Sequence, residues 1–199
     1  MPTTPMNFNV ENIIQFLSIL LPMYITFFMG MTGIFNNDFQ KFGVWLGGVT
    51  ISSFMLILGQ RFLADPSSMN QSCNVYNIIP INTPSATSSF IMFTLMYLVY
   101  PMREFNSWNY SVIAVFLILF VFDFMTKLRN GCTTIINIVG GGIFGSLAAL
   151  VWYTMIKSAG GDKLLYFNLG SSNNVFCSKP KQQTFKCSVY KNGQLISSG

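Results

Sequence analysis

The chain contains no histidine. That absence removes the commonest general base, proton shuttle and zinc ligand. Charge is also scarce: 9% of the 199 residues are Asp, Glu, Lys or Arg, against roughly 25% in soluble globular proteins. Four cysteines without histidine or clustered carboxylates offer no metal site, so no cofactor is expected. What is present is apolar: 51% of residues are hydrophobic, with 20 Phe and 12 Met, and the mean hydropathy is +0.49. This balance excludes a disordered chain and argues against a soluble enzyme. The net charge of +5 comes from dispersed basic residues with no recognition motif behind them, so nucleic acid is not an expected partner.

A membrane-spanning helix needs about 20 predominantly apolar residues. Five segments approach or meet that length, at about 13–35, 42–60, 85–101, 108–125 and 133–156. The first is no signal peptide, because no basic stretch precedes it and its apolar run is too long. After Lys157 the run Ser158-Ala159-Gly160-Gly161-Asp162 reads as a flexible exit from the membrane. Further on, Phe185, Cys187 and Val189 alternate with Lys186, Ser188 and Tyr190, and Asn192-Gly193 is a hairpin signal. The expected fold is an all-α polytopic membrane protein: about five transmembrane helices in a bundle over 1–157, with a small β-rich C-terminal tail over 158–199.

Five spans place the termini on opposite faces. Arg61, Lys127 and Arg129 then share one face, and Lys41, Arg103, Lys157, Lys163, Lys179, Lys181, Lys186 and Lys191 the other. The positive-inside rule puts the tail in the cytosol or its equivalent, where it either lies on anionic headgroups or forms a soluble appendage. Cys73 and Cys132 fall on the opposite face and are candidates for a disulfide if that compartment is oxidising. Cys177 and Cys187 flank a Lys-Pro-Lys turn region and are candidates for a second. Both pairs stand equally as free thiols, since spacing alone gives no Cα separation.

Two stretches repay a residue-by-residue reading: Pro84-Ser85-Ala86-Thr87-Ser88-Ser89-Phe90, and Thr126-Lys127-Leu128-Arg129-Asn130-Gly131-Cys132-Thr133-Thr134-Ile135-Ile136-Asn137 with Gly141 and Gly145 beyond it. Together they resemble the type 2 phosphatidic acid phosphatase family over about 42–157. That family opens one span with Pro-Ser-Gly-His. It begins a later one with Ser-Arg, five residues, His, three residues and Asp. In that alignment Lys127 takes the Arg position, Thr87 the first His, Thr133 the second His and Asn137 the Asp. The family's first motif, Lys, six residues, Arg-Pro, has no counterpart beyond Asp65-Pro66 with Leu58 at the Lys. The resemblance implies a membrane lipid phosphatase whose second-motif His protonates the leaving group and whose third-motif His, oriented by Asp, attacks phosphorus. Threonine cannot replace that imidazole, being un-ionised near neutral pH with no base beside it. The resemblance therefore implies a pseudoenzyme with no catalytic residues, in which Lys127, Arg129 and Ser85 are candidates for holding a lipid phosphate.

Structural readings stand beside these. Asp123 precedes Lys127 by four residues, a helical ion-pair spacing, and structural pairing is the favoured reading. Gly140, Gly141, Gly142 and Gly145 with Ser146, Ala148 and Ala149 read as a helix-packing face. Trp45, Trp108 and Trp152 suit interfacial or packing roles. The expected function is a structural or scaffolding component of a larger membrane assembly, with membrane lipids and other protein subunits as partners. Scarce Ala beside plentiful Asn, Ile and Phe suggests an AT-rich genome, and the preferred setting is the internal membrane of a large DNA virus particle. The alternatives are a lipid phosphatase with altered chemistry, a non-hydrolysing headgroup binder, and a subunit of an organellar membrane complex.

Overall fold

The computed structural model describes residues 10–63, 85–130, 133–167, 188–191 and 194–198. Among these residues lie five α-helices: α1 (Val10–Phe35), α2 (Phe39–Leu63), α3 (Ala86–Glu104), α4 (Tyr110–Arg129) and α5 (Ile135–Ser158). Their starts are written in side chains. Ser85, Asn109 and Thr134 sit at the N-caps of α3, α4 and α5, and each accepts a hydrogen bond from a backbone N–H in the first turn, satisfying a donor the helix itself leaves unpaired. α1 turns into α2 through Asn37, whose φ of 54° is the left-handed conformation that asparagine tolerates. Pro22 lies inside α1 and removes the backbone bond to Ser18.

The helices run beside one another, with α3 in the middle. It contacts α1, α2, α4 and α5. α3 and α5 are parallel: Ser85 meets Asn137 at one end, where its N–H donates to the Asn137 carbonyl over 2.9 Å, and Glu104 bonds Lys157 and Tyr153 at the other. The close approach depends on glycine. A Cβ on Gly141 would lie 2.5 Å from the Ser85 carbonyl oxygen, and one on Gly145 would run into the carbonyl of Ser89. Gly141, Gly142, Gly145 and Ala149 are buried on this face, as the packing reading requires. Gly140 meets open space instead. Trp45 is fully buried, and Trp152 lies over Gly47 and Gly48 with its indole N–H donating to the Val44 carbonyl.

Two parts of the expected fold class need correction. Four helices, not five, are long and apolar enough to cross a membrane: α1, α2, α4 and α5. α3 falls short because Thr87, Ser88, Ser89, Thr94, Tyr97 and Tyr100 dilute its apolar content and Arg103-Glu104 closes it. It is sheathed by the others, and ten of its 19 residues are buried. The second correction concerns the tail. The segment after α5 turns back through Gly160, at φ 73°, into a 3-10 turn at Asp162–Leu164. Leu165 is fully buried, and Ser107 donates to the Phe167 carbonyl. This stretch belongs to the bundle and is no loose exit. Beyond it, Ser188–Lys191 and Gln194–Ser198 form one short antiparallel ribbon, irregular between Val189 and Tyr190. Alternation over so few residues yields at most an isolated ribbon, marginal in water by itself. The fold is an all-α bundle rather than a bundle with a β-rich tail. Residues 192–193 and Cys73, Cys132, Cys177 and Cys187 lie outside the described residues.

The protein is thus a polytopic all-α membrane protein. Its outer helices carry large apolar side chains outward, among them Phe27, Phe35, Ile118, Val121, Ile136 and Ile143. In water such a surface would cost far more than a monomer tolerates; hydrocarbon is its natural solvent.

Candidate functional site

A single polar network lies at the end of the bundle where α3 and α5 begin and α4 finishes. Its centre is Asp123 on α4, fully buried. One carboxylate oxygen, Oδ1, accepts from Ser18 Oγ of α1 at 2.8 Å. The other accepts from Ser88 Oγ of α3 at 3.0 Å and from Lys127 Nζ, one helical turn along α4, at 2.8 Å. Lys127 Nζ also donates to Ser85 Oγ at 2.7 Å. Ser85 in turn bonds α5 through its backbone N–H and the Asn137 carbonyl. Four helices are joined through five side chains and one backbone link.

An isolated carboxylate in an apolar interior is untenable, and it is retained only when paired and hydrogen-bonded. Asp123 meets both conditions, and three donors fill its lone-pair directions. Lys127 is less enclosed, with 19% of its side chain exposed, and its aliphatic stem lets the ammonium reach inward from the helix end. Two of its three N–H donors are engaged by Asp123 and Ser85.

Of the residues singled out from the sequence, the structure brings Ser85 and Lys127 into contact and ties Asn137 to Ser85 by backbone. Arg129 lies exposed at the end of α4. Thr87 is half-buried in the first turn of α3. Thr133 precedes the cap of α5, and its buried hydroxyl makes no hydrogen bond among the described residues. Asp123 pairs with Lys127 as its spacing suggested. Sequence reasoning assigned no role to Ser18 or Ser88. The available signal for Ser18 was a hydroxyl in an otherwise apolar run, placed four residues before Pro22.

The arrangement can hold helices together. It offers serine hydroxyls bonded to a carboxylate that is itself neutralised by Lys127. Among the described residues no three His, Cys, Asp or Glu side chains gather as a metal site would need. No family model, curated protein or solved structure matches the chain.

Proposed function

We propose that the protein is a non-catalytic structural component of a larger membrane assembly, built on a degenerate core of the type 2 phosphatidic acid phosphatase kind. One observation carries this reading: Lys127, aligned with the residue that holds substrate phosphate in that family, is turned inward onto Asp123 and Ser85. A cation neutralised by a buried carboxylate clamps helices and has little field left for a phosphoryl group. Thr87, Thr133 and Asn137 supply neither nucleophile nor proton shuttle, which supports the same conclusion. The apolar outer faces of α1, α2, α4 and α5 give lipids and neighbouring subunits room to pack. The basic residues favour a tail on the cytosolic or equivalent face, and the composition favours the internal membrane of a large DNA virus particle as the setting.

A second reading has its own support. The N-termini of α3 and α5 sit side by side at the Lys127 end, and paired helix N-termini attract anions; Thr133 adds a hydroxyl with no hydrogen-bond partner among the described residues. That reading makes the protein a non-hydrolysing binder of lipid phosphate through Lys127, Arg129 and Ser85.

The decisive assay is phosphate release from phosphatidic acid and isoprenyl pyrophosphate by the purified chain. No turnover is expected. Reproducible turnover abolished by Lys127→Ala would overturn the non-catalytic reading. Purification in mild detergent tests the assembly: stable co-purification with other proteins is expected, and a clean monomer counts against it. Retained phospholipid that Lys127→Ala releases would favour the headgroup binder.

A further inference from the structure

The opposite end of the bundle carries a different kind of chemistry. Trp108 and Tyr110 open α4 with rings stacked at 6.3 Å and 12°, and they are 43% and 74% exposed. Phe35 and Phe39 flank the α1–α2 turn, also exposed. Exposed Trp and Tyr at a helix end mark the headgroup level of a membrane, where an amphipathic ring is most stable. The same end of the bundle carries four cations. Lys41 is bonded to Asp38 and Lys157 to Glu104, and Asp162 is engaged as well. Arg103 and Lys163 are exposed and make no hydrogen bond or ion pair among the described residues.

Lys163 is not on a loose tether. It sits in the 3-10 turn that the chain makes on folding back. Two residues later Leu165 is fully buried, and Tyr166 packs edge-on against Tyr97 of α3 at 6.3 Å. Leu165 therefore holds Lys163 at the end of the bundle where α3 presents Arg103 in its last turn. An arginine and a lysine exposed at the same end of the bundle as these aromatic rings suit the phosphodiester of a lipid headgroup, the first by paired hydrogen bonds and the second as a point charge.

We propose that this end of the bundle binds anionic phospholipid headgroups through Arg103 and Lys163, with Trp108 and Tyr110 setting the depth at which they do so. The site is separate from the Lys127 network and stands whether or not that network binds phosphate.

The test uses the full chain in mild detergent, titrated with phosphatidylglycerol and with phosphatidylcholine of the same acyl chains, with bound lipid read by native mass spectrometry. The wild type is expected to prefer phosphatidylglycerol. Arg103→Gln and Lys163→Gln should each reduce that preference about fivefold, the effect of one basic residue near an anionic surface, and together they should abolish it. Both side chains are exposed, so the thermal melting of the variants should match the wild type. A wild type without preference, or a double variant that keeps it, would overturn the proposal.

Discussion

α3 and α4 are nearly the same length and lie side by side, yet they relate to their surroundings in opposite ways. α3 buries ten of 19 residues, and α4 buries only Phe116, Asp123 and Thr126 of its 20. The helix richer in hydroxyls is the one at the centre, and the more apolar helix is the one at the edge. In water the order would be reversed. In hydrocarbon an outward Leu or Ile gains nothing by turning inward, and polar side chains go where they find each other. The few buried residues of α4 are therefore the ones that attach it: Asp123 reaches α1 and α3 at once.

The largest effect should come from breaking that attachment. Asp123→Ala leaves the Lys127 ammonium with Ser85 but no counter-charge, and Ser18 and Ser88 without their acceptor, and should cost about 3–5 kcal/mol, measured as loss of thermal stability in detergent. Replacing both charges, as Asp123→Asn with Lys127→Met, should cost much less, because the amide oxygen accepts from one serine hydroxyl while its NH2 donates to the other, and no charge is stranded. A double variant as unstable as Asp123→Ala would show that the ion pair itself, and not charge balance, fastens α4.

A smaller loss is expected where α3 meets α5. Gly145→Val drives a side chain into the Ser89 carbonyl and should cost about 1–3 kcal/mol by overpacking; Gly140→Val, facing open space, should be tolerated. The smallest and sharpest test is one substitution made twice. Ile91→Val, at a fully buried position of α3, should cost about 0.5–1.5 kcal/mol. Ile118→Val on α4, where Ile118 is 66% exposed, should stay within about 0.5 kcal/mol. Equal costs would mean that α4 is covered by protein along its outer face.

The four outer helices were legible in the sequence because long uncharged runs have few other uses. Their ends were not: α2 begins at Phe39 rather than 42, and α4 continues to Arg129 rather than 125. In each case the helix carries on through lysine or arginine that pairs or reaches outward, which an apolar window excludes. The rank of α3 was misjudged because its length and lack of charge over 86–102 were weighed more heavily than its hydroxyls, which lower its apolar content below that of the four outer helices. The ion pair was legible from its spacing on one helix. Its serine partners were not, because Ser18 and Asp123 are 105 residues apart and no periodicity within either segment reports on the other.

The spacing of Asp123 and Lys127 also bears on how the chain enters its membrane. A charged residue costs roughly 2.5–3.5 kcal/mol on insertion at the centre of a span and less toward its end, where α4 carries Asp123 and Lys127, and it carries both before α5 has been synthesised. Being one turn apart on a single helix, they neutralise each other without waiting for any other segment. α4 can thus leave the translocation machinery with this pair neutralised within the helix and Arg129 carrying the remaining positive charge at its end, with Ser18 and Ser88 added afterwards as helices collect. Moving the lysine two positions along α4 would keep its composition and its final charge. It would remove this escort, and the defect would surface as failed insertion during synthesis, before any folded bundle exists to be destabilised.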